Sequence, residues 1–156
     1  MFHHLNNPIY GVLFDSIIND YLIRHCGYNT QDYPRVALVA NTYCDYFGSV
    51  QYPSMLDVGL RVVKLGKSSV MYECGIFEEG NDAVKAVGKR FLPRKCVLFD
   101  GVADHYFAWY AGGFIQIWVK REDNRPAPEG LEPNIRAGLA KLVNGDGEQN
   151  TQKPKL

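Results

Sequence analysis

The sequence predicts an α+β chain in which several antiparallel strands form one sheet wrapped against a single long helix. Three observations carry that prediction. An apolar repeat at helical spacing, Ile9, Val12, Leu13, Ile17 and Tyr21, follows directly on Asn7-Pro8. Two β-rich runs, Val58 to Leu65 and Ser69 to Phe77, flank the tight turn Gly66-Lys67-Ser68, which makes a hairpin. A further run, Gly113 to Lys120, alternates Phe114, Gln116 and Trp118 with Ile115, Ile117 and Val119, as a sheet with two different faces requires.

Asn7 and Pro8 start the helix, because an Asn side chain caps free N–H groups and proline at the first helical position loses no hydrogen bond. Arg24 and His25 followed by Gly27 suit its C-terminus, which gives a helix of about five turns. Tyr28 to Pro34 is a polar turn region, Val36 to Phe47 a strand rich in Val, Tyr and Thr, and Tyr52-Pro53-Ser54 a break. After the hairpin, Glu78 to Asp82 turns the chain and Ala83 to Val87 starts another strand. Leu131 to Val143 is a short terminal helix, and residues 144–156 form a polar tail expected to be disordered. Residues 1–143 are thus expected to make a single domain.

At 156 residues the chain is long enough for one domain with a real core. Lys+Arg and Asp+Glu number 17 each, so the net charge gives no electrostatic case for a nucleic acid or an anionic membrane as partner. No apolar run approaches the roughly 18 residues of a membrane span, and the N-terminus is not built as a signal peptide. Cys26, Cys44, Cys74 and Cys96 lack metal-type spacing and read as reduced, intracellular thiols.

The stretch that carries chemistry lies at the helix start: His4-Leu5-Asn6-Asn7-Pro8-Ile9-Tyr10. A helix N-terminus in a polar elbow offers unpaired N–H groups and a partial positive charge to a developing oxyanion. His-x-Asn-Asn-x-x-Tyr at a helix start resembles the active-site segment of the hotdog-fold acyl-CoA thioesterases, the 4-hydroxybenzoyl-CoA thioesterase-like family. The resemblance runs from Phe2 to about Val87 and resumes from Gly113 to about Leu142. It implies a hotdog fold in which subunits pair their sheets edge to edge, with the active sites between them, as a homodimer or homotetramer. It also implies that coenzyme A is needed only as part of the substrate. By position, the Asn7 N–H would receive the thioester oxygen, His4 and Asn6 would shape and polarise the site, and Tyr10 would line the acyl pocket. Without the resemblance, Asn7 is a helix cap, His4 a solvated loop residue and Tyr10 a core residue.

The same resemblance implies a catalytic Asp, preceded by a strand, and counting back from Tyr10 that Asp falls immediately before Met1. The expectation is therefore that Met1 is an internal methionine of a longer protein. Asp15 and Asp20 read as solvated or structural acids. Lys67 with Ser68 and Ser69 combines a point charge with two neutral donors, a grip suited to phosphate. In the family this turn resembles a segment that contacts the pantetheine and phosphates of coenzyme A. Arg90, Arg94, Arg121 and Arg125 are alternative cations.

Lys89 to Gly112 is anomalous, with Pro93, a Lys/Arg cluster and the aromatic group His105 to Tyr110 inside an expected strand. Its removal would join Val84-Lys85-Ala86-Val87-Gly88 to Gly113, and codons permitted at Gly88-Lys89 and Ala111-Gly112 match intron ends. It reads as a translated, unspliced intron, or else as an insertion forming a lid over an acyl chain. No metal is expected: Asp104 with His105 supplies too few ligands, and His3 and His4 are adjacent on an elbow and point different ways.

Two functions remain: hydrolysis of an acyl-CoA to free acid and coenzyme A, or a catalytically impaired acyl-CoA-binding or dimerising module. A cytoplasmic location is expected, or a mitochondrial one if a transit segment precedes Met1.

Overall fold

The computed structural model describes residues 4–50, 53–78, 96–98, 101–103 and 110–144. Helix α1 covers Asn7–Cys26. Asn6, not Asn7, is its N-cap, in an extended conformation (φ −72°, ψ 138°) and with no side-chain capping bond. This corrects the expected cap by one residue. Pro8 lies in the first turn, where its missing N–H costs nothing. At the other end Gly27 takes the left-handed conformation (φ 66°), and its N–H donates to the Leu22 carbonyl.

Among the described residues one six-stranded antiparallel sheet follows: β1 Arg35–Tyr46, β2 Leu56–Leu65, β3 Ser69–Glu78, β4 Cys96–Leu98, β5 Gly101–Ala103 and β6 Tyr110–Lys120, in the order β1-β6-β3-β2-β4-β5. The expected β2–β3 hairpin is present, paired from Leu65↔Val70 to Leu56↔Glu78. Strand β6 begins at Tyr110 rather than Gly113, and its first three residues pair with Tyr46, Asp45 and Cys44 of β1. Three residues of the anomalous segment therefore lie in a central strand, and two further pieces of it form the β4–β5 hairpin on β2. The strand expected at 83–87, the group from His105 to Trp109 and the tail beyond Asn144 lie outside the described residues. Helix α2, Pro133–Asn144, matches the expected terminal helix.

Residues opposite one another across strands share a face. Phe114, Gln116 and Trp118 of β6 therefore face inward with Val70 and Tyr72 of β3 and with Val62 and Leu60 of β2. Onto this face α1 buries Tyr10, Phe14, Ile17, Ile18, Tyr21, Leu22 and Cys26, with the Phe14 ring edge-on to Phe114 at 6.3 Å. The stripe expected from the apolar repeat is only partly right, since Ile9 and Val12 are exposed. The helix carries apolar residues on most of its circumference. At 100° per residue, neighbouring stripes differ by one position, and only the sheet decides which is buried. On the outer face Tyr43 lies over Gly113 beside the cross-strand ion pair of Arg61 and Glu73.

The end of α1 is tied to α2. Tyr21 donates its hydroxyl to Gly138 O (2.9 Å), Asn134 Nδ2 donates to Cys26 O (2.8 Å), and Tyr33 donates to Asn134 Oδ1 (2.8 Å). Burial pushes the Cys26 thiol up to about 11 and the Tyr21 hydroxyl up to about 12. Both groups are neutral when protonated, so the folded state holds their protons more tightly than the unfolded chain does. Their stabilisation is complete below the unfolded value of Cys26, near 9, and is lost as pH rises through the folded values. Thermal melts from pH 8 to pH 12 are expected to show a falling Tm from about pH 9 upward. Cys26→Ala should flatten the first part of that fall, and an unchanged profile in this variant would refute the assignment.

Candidate active site

The elbow is a short extended lead into α1, anchored by a Leu5 N–H bond to Val50 O (3.1 Å) and by partial burial of the Leu5 side chain. His4, Asn6, Asn7 and Pro8 on either side of it are exposed. The first internal bond of the helix end is Ile9 N–H to Asn6 O at 3.0 Å. Among the described residues the Asn7 N–H has no acceptor, Pro8 has no N–H, and the Asn6 side chain makes no capping bond. An open helix end with a bare N–H is therefore presented to solvent, where an anion gains from both the donor and the helix dipole. His4 Nδ1 lies 3.2 Å from Leu5 O. A carbonyl only accepts, so Nδ1 carries a proton there, and in the neutral ring Nε2 holds the lone pair.

Tyr10 is brought to the elbow but is buried in the core, 1% exposed. Its ring meets Tyr46 edge-on at 5.3 Å, and Tyr46, 47% exposed, carries the surface outward. Tyr46 was not singled out by the sequence, although its place at the end of the Val36–Phe47 run was the available signal. Asp15 accepts from Asn19 Nδ2 (3.0 Å), and Asp20 pairs with Arg24 (2.7 Å). Both acids on α1 are therefore engaged within the helix.

Lys67, Ser68 and Ser69 stand at the opposite end of the sheet. Ser69 aligns through Ile117 with Leu38, whereas Ile76 aligns through Tyr110 with Tyr46 beside the elbow. Seven residues of strand separate the two rows, about 23 Å at ~3.3 Å per residue. The two candidate halves are thus not brought together, and only an elongated ligand spans them within one chain. Of the alternative cations, Arg121 donates to the Thr30 and Tyr33 carbonyls (2.7 and 3.3 Å), while Arg90 and Arg94 lie outside the described residues. No helix among the described residues is long and apolar enough to cross a membrane. Cys26, Cys44 and Cys74 are free thiols.

An antiparallel sheet curled on one long helix, with the open helix end at the sheet's margin, defines the hotdog fold. Solved structures agree. The PA5185 protein from Pseudomonas aeruginosa strain PAO1 is 32% identical, with a TM-score of 0.72 over 92% of this chain and 82% of that one. The DHNA-CoA thioesterase from Staphylococcus aureus is 18% identical, with a TM-score of 0.64 over 94% and 85%. The SAV2348 protein from Staphylococcus aureus, solved in complex with CoA, is 9% identical, with a TM-score of 0.69 over 99% and 81%. No curated protein matches the sequence. The family model of the thioesterase superfamily matches residues 2–85, more than half of the chain. The chain belongs to the thioesterase superfamily.

Proposed function

We propose that the chain hydrolyses an acyl-CoA thioester to the free acid and coenzyme A. The observation that carries this reading is the open, uncapped start of α1 in a chain of the thioesterase superfamily. The thioester carbonyl oxygen lies against the Asn7 N–H, where negative charge forms as water adds to the carbonyl carbon. The helix end then needs no rearrangement to stabilise that charge. His4 and Asn6 flank the carbonyl, and Tyr46, backed by Tyr10, forms the wall along which the acyl group leaves the elbow. No metal or cofactor takes part, and coenzyme A enters only as the substrate's leaving group. The attacking water gives up a proton to solvent as its oxygen bonds to carbon, and the C–S bond then breaks and the departing thiolate takes a proton from solvent, which leaves free acid and coenzyme A.

A second copy of the chain is the proposed partner. Strand β1 is a sheet edge of 12 residues with Leu38, Val39, Tyr43 and Tyr46 exposed, and Phe47 just beyond its end is exposed too, a surface suited to pairing. A non-catalytic acyl-CoA-binding module is kept as the second reading, because the two acids of α1, Asp15 and Asp20, stand about 12 and 20 Å along the helix from Asn7 at ~1.5 Å per residue. Both readings are tested on a panel of acyl-CoA esters, with released thiol, bound coenzyme A and sedimentation mass measured together. Turnover by a dimer or tetramer is the expected result. Binding without turnover selects the second reading, and neither binding nor turnover removes both.

A further inference from the structure

The turn that carries Lys67 is held in an unusual way. Gly66 N–H donates to Ser69 O (2.8 Å), Trp118 N–H donates to Ser68 O (2.8 Å), and Leu131 N–H donates to Lys67 O (2.9 Å). Arg136, one turn into α2, donates Nη2 to both Gly66 O (2.6 Å) and Lys67 O (3.2 Å). Gly130, at φ 85°, lets the chain pass so close that a Cβ there would meet the Lys67 carbonyl oxygen. Four successive carbonyls, from Gly66 to Ser69, are thus drawn to internal donors. The Lys67 and Ser68 N–H groups donate to nothing among the described residues. A loop whose carbonyls are engaged and whose N–H groups are unpaired favours an anion over a cation.

The charges agree. Arg24, Arg35 and Arg61 each pair with a carboxylate. Lys67 and Arg136, both exposed, have no carboxylate partner among the described residues. The bonds to Gly66 and Lys67 occupy one guanidinium nitrogen of Arg136, and its remaining N–H donors are left for a ligand.

We propose that Arg136 is a binding and positioning residue for the phosphates of the substrate: it fixes the Gly66-Lys67-Ser68 turn through two carbonyls and adds a second cation beside Lys67. The inference rests on the acyl-CoA reading above and extends it to a residue of α2. It places the phosphates at the hairpin end and the thioester at the elbow, either in one chain or across a pair of chains.

The test is binding of coenzyme A and of pantetheine, which lacks the phosphates, to the full chain and to Arg136→Met, Arg136→Lys and Lys67→Met, with Tm measured alongside. Arg136→Met is expected to weaken coenzyme A binding at least about tenfold and reduce its salt dependence, while pantetheine binding stays unchanged. Arg136→Lys should recover part of the loss. Unchanged coenzyme A affinity in Arg136→Met overturns the proposal, as does an equal loss for both ligands, which would make Arg136 merely structural. If Arg136→Met does not fold, Arg136→Lys alone decides: wild-type affinity for coenzyme A overturns the proposal, and a selective loss supports it. Equal affinity of the unaltered chain for coenzyme A and pantetheine also overturns the proposal, whereas the underlying reading fails separately, when the unaltered chain neither binds coenzyme A nor releases thiol from any acyl-CoA ester.

Discussion

Asn7→Pro is expected to lower kcat for thioester hydrolysis by about 10²–10³-fold while leaving the fold intact, the loss that removal of one oxyanion donor brings. Proline deletes the backbone N–H and little else at this position. Its fixed φ suits the first helical residue, and the preceding Asn6 is already extended, as the residue before a proline must be. Asn7→Ala keeps the N–H and changes only the exposed side chain, so its turnover should stay within a few-fold of the unaltered chain. The pair separates the backbone donor from the amide side chain. Circular dichroism and Tm should show both variants folded. Equal turnover in the two variants would mean that the Asn7 N–H is not the group that meets the oxygen.

The largest expected effect on stability lies where α1 crosses β6. Phe14 is 1% exposed, its ring edge-on to Phe114 and against the backbone of Gly112. Phe14→Ala is expected to cost about 3–5 kcal/mol through lost burial and the cavity left behind. That corresponds to a fall in Tm of about 10 °C in a chain of this size. Gly112→Ala acts from the other side. A Cβ there would overlap the Phe14 ring and stand 2.8 Å from the Tyr43 carbonyl oxygen, a backbone atom with little freedom to retreat. Overpacking of this kind costs about 1–3 kcal/mol. With Phe14 already shortened, the added methyl clashes with one neighbour instead of two. The double variant should therefore be less destabilised than the sum of the single ones. Denaturant melts of the four proteins measure this, and strict additivity would show that the two residues do not share the crossing.

Much of the fold was legible because its signals are local. Pro8 and Gly27 fixed the ends of α1 by their own backbone preferences. Alternation on either side of Gly66-Lys67-Ser68 marked β2 and β3, because a strand's period of two and a tight turn need no distant partner. The buried stripe of α1 was not legible, since Ile9 and Val12 are as apolar as the Tyr10 and Phe14 that the sheet covers. Nor was the cap, where Asn6 and Asn7 are the same residue type in succession and only backbone geometry separates them.

The candidate site divides in the same way. The elbow string could be found in the sequence because its chemistry is contiguous, and the chain folds with His4, Asn6 and Asn7 exposed. Tyr10 shows the limit: its position one turn into α1 was correct, but packing turned its ring inward and left the surface to Tyr46. Arg136 carried no signal at all. An arginine in the first turn of a short helix is unremarkable until the fold brings two hairpin carbonyls within reach of it.

The sequence by itself determined where the long helix begins and ends, that a hairpin turns at Lys67, and that a polar elbow opens the helix, since each follows from residues within a few positions of one another. Only the tertiary structure decided which side of α1 is buried, that the elbow and the Lys67 turn lie at opposite ends of the sheet, and that Arg136 holds that turn. Those outcomes depend on strand order, register and helix crossing. They are set by the joint packing of residues distant in the chain, and no local preference encodes them.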